Sequence, residues 1–132
     1  TPMQWDDSPN AGFTTGTPWI NVNPNYREIN ARAAVSDPDS VFHYYQELIR
    51  LRHTLPVIVY GKFEGLLEES ETMYAYRRLL DGQVLTVACN FTDQEQACDL
   101  CEDPAATELI SNYKTHKAGT LQPYEARVLL QK

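Results

Sequence analysis

The sequence predicts a mainly β protein: an antiparallel, Greek-key-like β-sandwich of about six or seven strands, preceded by an irregular segment and one α-helix. Three observations lead there. Apolar residues alternate with a period of two over short runs after residue 57. Asp81-Gly82 stands between two such runs and supplies the positive φ angles of a type I′ hairpin turn. Apolar residues follow a helical period between residues 38 and 54. With 132 residues, 42% of them hydrophobic, the chain is long enough for one core.

Residues 1–35 carry both tryptophans and many Pro, Asn, Thr and Gly, with no sustained period, so they read as a long shaped loop. A loop of this length inside a compact domain is uncommon, and packing against something outside itself would explain it. Helix signals begin at Ser36-Asp37-Pro38-Asp39-Ser40, where Asp37 is a candidate cap, Pro38 suits a first helical position and Ser40 is an alternative start. The helix is expected over about Pro38 to Thr54, stopped by Pro56. Val41, Phe42, Tyr45, Leu48 and Ile49 form its apolar stripe, and Arg50, Arg52 and His53 suit the negative end of its dipole.

Strands are expected over Lys62 to Glu68, Thr72 to Leu80, Gln83 to Phe91, Glu95 to Leu100, Thr107 to Ser111, about Thr120 to Gln122, and Glu125 to Gln131. On the third of these, Leu85, Val87 and Cys89 share one face and Thr86, Ala88 and Asn90 the other, so both faces suit burial, as in a central strand.

Eleven Lys and Arg against 18 Asp and Glu give a net charge of −7, which repels nucleic acid. No apolar run is long enough to span a membrane, and residues 1–20 lack the order of a secretory signal, so a cytoplasmic protein is expected. Three cysteines, Cys89, Cys98 and Cys101, are an odd count and point to reduced thiols. Cys98 and Cys101 form a C-x-x-C, but a strand there sends positions three apart to opposite faces, against a shared metal or an easy disulfide. His43, His53 and His116 sit in no metal-ligand pattern, and two are read as helix surface and one as loop. Asp6-Asp7 and Glu68-Glu69-Glu71 read as solvated charge. Asn90-Phe91-Thr92 fits a glycosylation triplet and reads as a strand end. No catalytic residue, metal site or cofactor is expected. Trp5, Phe13, Trp19 and Tyr26 suit either stacking on sugar rings or anchoring a loop on a neighbouring domain.

Thr1-Pro2-Met3-Gln4-Trp5-Asp6, then Ser8 with Ala11-Gly12-Phe13-Thr14, then Pro18-Trp19, resembles a signature of the retaining α-glucosidases among the family 13 glycoside hydrolases. The likeness continues through Val22-Asn23-Pro24-Asn25-Tyr26, Ile29-Asn30, Asp37-Pro38-Asp39-Ser40 and Tyr44-Tyr45, and returns at Leu121-Gln122-Pro123-Tyr124-Glu125-Ala126. It is nearest to the oligo-1,6-glucosidases and dextran glucosidases, with trehalose-6-phosphate hydrolases and sucrose isomerases as close relatives.

The resemblance implies that the chain is the C-terminal part of a larger α-glucosidase. Residues 1–56 would then end a catalytic β/α barrel, with an active-site loop over 1–36 and the last barrel helix over about 38–54. Residues 57–132 would be the C-terminal β-sandwich. An eight-strand barrel needs about 250 residues, so the chain is expected to be inactive alone. The parent would hydrolyse α-1,6-glucosidic bonds in isomalto-oligosaccharides or dextran with retention. Met3, Gln4 and Trp5 match residues that shape the active-site loop rather than catalyse. Expected partners are the barrel domain and, through the parent, an α-glucan oligosaccharide, with self-association through the bare helix stripe. The alternatives are a free-standing carbohydrate-binding or protein-interaction module and, within the family, a trehalose-6-phosphate hydrolase or sucrose isomerase.

Overall fold

The computed structural model describes all residues, 1–132, and divides into two compact units, Thr1–Glu47 and Leu48–Lys132.

The first unit is mostly irregular, with 3-10 turns at Pro9–Gly12 and Pro24–Arg27. Helix α1, Ala31–Ser36, corrects the reading of residues 1–35 as unbroken loop. Its signal was local: the Asn30 side chain accepts from the Ala33 N–H at 2.9 Å, capping an alanine-rich turn too short to display a period. Helix α2 runs Val41–Thr54 across the boundary between the units. It starts at the second of the two predicted points, because Asp37 folds into a turn of its own, its carboxylate accepting from the Asp39 N–H at 3.0 Å. Ser40 precedes the helix, and its carbonyl accepts from the Tyr44 N–H at 3.1 Å.

In the second unit Pro56 does not merely stop α2. It opens helix α3, Pro56–Tyr60, where its fixed φ and missing N–H suit a first helical position. Seven strands follow: β1 Lys62–Leu66, β2 Met73–Leu80, β3 Gln83–Asn90, β4 Gln96–Ala97, β5 Thr107–Ser111, β6 Thr120–Leu121 and β7 Ala126–Gln131. Five form an antiparallel sheet in the order β1-β2-β3-β7-β5, and β4 pairs with β6 in a second, two-stranded sheet. Asp81 (φ 49°) and Gly82 (φ 83°) close the β2–β3 hairpin in the left-handed region, with Leu80 opposite Gln83. The fold is thus mainly β, as the alternation and the hairpin turn predict.

β3 is the central strand, and both of its faces are covered. On one, Leu85 and Val87 join Val57 of α3 and Leu130 of β7 in a buried cluster. On the other, Ala88 joins Ala75, Leu129, Leu121 of β6, and Cys98 and Cys101. The second layer is thin because β4 is only two residues long. After it the chain turns into a 3-10 helix at Asp99–Cys101, where a strand to Leu100 was expected. That change reverses the expectation for the two cysteines: in a 3-10 turn residues i and i+3 eclipse, so Cys98 and Cys101 share one side and are both buried.

Candidate functional site: the Met3–Trp5 loop

Gln4 holds the first segment to the turn before α1. Its side-chain amide donates to Asn25 Oδ1 at 3.0 Å and to the Ile29 carbonyl at 2.5 Å. The backbone adds two bonds, the Ala31 and Arg32 N–H groups donating to the Gln4 and Trp5 carbonyls at 2.8 and 3.0 Å. Met3 and Trp5 lie either side of Gln4 and alternate with it, 50% and 54% exposed, so their side chains are left for something outside the loop. Met3, Gln4, Ile29, Asn30, Ala34 and Phe42 line an open recess.

Asp6 anchors the second part of the loop. Its carboxylate accepts from the Ser8 hydroxyl, from the Ser8 N–H at 2.9 Å and from Arg32 at 2.6 Å. The Ser8 bonds and then the Arg32 charge hold its carboxyl below the usual range, against the opposing effect of desolvation. Arg32 also reaches Asp7 at 3.1 Å; Asp7 stays exposed, as read, whereas Asp6 is the member of the pair that ties the loop to α1. Gly12 (φ 66°) is required here twice over, since a Cβ would also stand 2.7 Å from Asp6 Oδ1. Trp19 is 86% exposed, and the paired rings of the structure are at Phe42–His43, Phe63–Tyr76 and Tyr74–Tyr76, so the loop aromatics do not build a stacked platform.

Two polar networks of the second unit were not legible as such. Asn90, nearly buried, donates to the carbonyls of Gln94 (2.7 Å) and Gln122 (2.8 Å) and accepts from the Thr92 N–H (2.9 Å) and hydroxyl (2.8 Å). It is a clasp between two loops, and its amide is turned inward, away from any glycosylating enzyme. His116, read as loop, lies between two carboxylates: Nδ1 is 2.5 Å from Glu125 and Nε2 is 3.0 Å from Glu108. Glu125 is fully buried and also accepts from the Gln122 N–H at 2.7 Å; Arg127 donates to Glu108 at 2.8 Å. No group of three or more His, Cys, Asp or Glu residues is placed to hold a metal ion, and no helix is long and apolar enough to cross a membrane. These networks tie loops to the sheet.

Comparison with known proteins sets the loop in a larger frame. Residues 1–61 match the α-amylase catalytic domain, and residues 75–131 match a β-galactosidase C-terminal domain. The chain is 46% identical over its whole length to the oligo-1,6-glucosidase of Halalkalibacterium halodurans, of which it spans 25%. The crystal structure of Bacillus licheniformis trehalose-6-phosphate hydrolase superposes on all of it with a TM-score of 0.93 at 40% identity, 26% of that chain being covered. Isomaltulose synthase of a Klebsiella species gives 0.90 at 38% identity, over 99% of this chain and 25% of that one. The chain therefore spans about a quarter of the length of the curated relatives it matches. With one part like an α-amylase catalytic domain and the rest like a C-terminal β domain, the chain belongs to the family 13 glycoside hydrolases and represents a C-terminal portion of such an enzyme.

Proposed function

We propose that these residues are the noncatalytic C-terminal part of an α-glucosidase that cleaves α-1,6-glucosidic bonds in isomalto-oligosaccharides or dextran by a retaining, two-carboxylate mechanism. The observation that carries the reading is the match along the whole chain to oligo-1,6-glucosidases, 46% identical in one case and 49% in another. Residues 1–56 complete the barrel and residues 57–132 form the C-terminal β-sandwich. Met3 and Trp5, held outward by the Gln4 bonds, shape the wall of the active site without taking part in the chemistry. Val41, Phe42, Tyr45 and Ile49, all exposed on α2, are the stripe that the barrel covers. The catalytic carboxylates belong to the barrel. The whole enzyme acts in the cytoplasm, where short α-glucans are its substrates.

Two measurements test this. The chain alone, given isomaltose and a chromogenic α-glucoside, is expected to release no glucose; turnover by the isolated chain would overturn the noncatalytic assignment. The enzyme containing this chain is expected to hydrolyse isomaltose in preference to trehalose 6-phosphate and to leave sucrose unisomerised. The reverse preference would move it to one of the relatives. Trp19, 86% exposed, favours a second reading as a carbohydrate-binding module. Calorimetry of the chain with isomaltotriose separates the two: saturable heat without turnover supports the binding module, and no heat supports the structural part.

A further inference from the structure

Cys98 and Cys101 are the nucleophilic groups that the glucosidase reading leaves unused. The 3-10 turn at Asp99–Cys101 brings them to one side, where they lie 6% and 6% exposed among Ala75, Ala88, Leu121 and Leu129. The two thiols are close enough to influence each other, and the Leu100 N–H lies on the Cys98 side. The Cys98 N–H donates to the Gly119 carbonyl at 2.9 Å, which fixes the first cysteine to the neighbouring loop. The charges around them are Asp99, Glu125 and the buried Arg127, whose guanidinium favours a thiolate at either sulfur. Four residues of one tight turn keep their first and last Cα atoms within about 7 Å, inside the range that a disulfide bridges. Cys89 is on the opposite face of β3, beside the other cluster, and has no thiol partner.

We propose that Cys98 and Cys101 form a thiol–disulfide exchange site for low-molecular-weight disulfides, with Cys98 attacking and Cys101 resolving. The Cys98 thiolate attacks one sulfur of the small disulfide, whose S–S bond breaks; one thiolate leaves and a mixed disulfide forms at Cys98. The Cys101 sulfur then attacks the Cys98 sulfur, and its proton departs with the second small thiol. The chain loses two thiols and gains one disulfide, and the small disulfide is reduced to two thiols. Both the order of attack and the absence of a metal role follow from the arrangement. The adjacent Cys101 thiol and the Arg127 guanidinium favour a thiolate at Cys98, which makes it the attacking sulfur, and two thiols without further ligands make a poor zinc site. The Cys101 thiol lowers Cys98 to about 6, aided by the Leu100 N–H and opposed by burial; the Cys98 thiol, then burial, pushes Cys101 up beyond the thiol range. Access requires local opening of this short turn, in which the Cys98–Gly119 and Glu102–Asp99 backbone bonds are broken.

The test treats the chain with oxidised glutathione, alkylates the remaining thiols and maps them by mass spectrometry. The expected product has lost two hydrogens from the segment holding Cys98 and Cys101, with Cys89 still alkylatable. Cys101→Ser is expected to accumulate one glutathione on Cys98, and Cys98→Ser none on Cys101. Should either variant fail to fold, alkylation of the unsubstituted chain against pH decides. Cys98 is expected to reach half its limiting rate near pH 6, whereas the rate at Cys89, whose thiol burial pushes up, rises about tenfold per pH unit through neutrality. Modification of Cys89 alone, an adduct that forms first on Cys101, or a Cys98 profile that parallels Cys89 would overturn the proposal.

Discussion

Asn90 shows how much a single amide does in this fold. It satisfies carbonyls at Gln94 and Gln122 and the backbone of Thr92 at once, while its own N–H bonds the Glu125 carbonyl at 2.9 Å. Asn90→Ala strands several buried polar groups together, and at about 1–3 kcal/mol for each group left without a partner the expected loss is about 3 kcal/mol. Urea unfolding of the chain measures it; a loss under about 1 kcal/mol would mean that water replaces the amide. Asp6 gives the clearest pH dependence. Its folded pKa is below its ordinary value, chiefly through the Ser8 bonds, so the stability it adds is complete above the ordinary aspartate pKa of about 3.9 and is lost as pH falls through the lower folded value. The Ser8 and Arg32 amide signals are expected to shift together below pH 4, and Asp6→Asn is expected to abolish that step. Neither role was legible in the sequence. Asn90 stood out as a strand-face position and a glycosylation triplet and Asp6 as part of a signature and half of an acidic pair, but not for these bonds, because their partners are up to 32 residues away.

At the level of elements, legibility tracked the range of the forces involved. The β2–β3 hairpin follows from Asp81-Gly82 and a period of two, both local, and the strand bounds agree within a residue. Short elements fared worse. α1 and α3 are six and five residues long, less than two turns, so neither shows a helical period. β4 shrank from six residues to two because the chain there buries Cys98 and Cys101 by turning rather than by pairing. The stripe of α2 was legible, but its purpose was not: a periodic apolar face states that a helix is covered, not by what. Exposed Val41, Phe42, Tyr45 and Ile49 are expected to drive association of the isolated chain. Tyr45→Lys with Ile49→Lys is expected to shift it toward monomer in sedimentation velocity, with unchanged far-ultraviolet circular dichroism. Equal sedimentation of both forms would remove the stripe as an interface.

Over the whole molecule, two kinds of sequence information met. Periodicity and turn chemistry supplied the mainly β architecture with no reference to any other protein. The candidate site, by contrast, was reached only through the resemblance of Thr1-Pro2-Met3-Gln4-Trp5 and its following motifs, because a loop proposed to shape a site carries no chemistry of its own to announce it. What makes Gln4 matter is its grip on Asn25 and Ile29, a geometry that becomes visible only when the loop closes. The place of β7 has a consequence of another kind. The strand latest in the sequence, Ala126–Gln131, sits between β3 and β5 inside the five-stranded sheet. A ribosome delivers it after both of its neighbours, so β5 emerges with no strand to pair with, and β3 exposes one edge until β7 arrives. During synthesis the hairpin of β2 and β3 can form early, but the sheet closes in a single late step across the connection from Asn90 to Ala126, about 35 residues. In that interval the open edges of β3 and β5 are where a nascent chain is most exposed to pairing with the wrong strand.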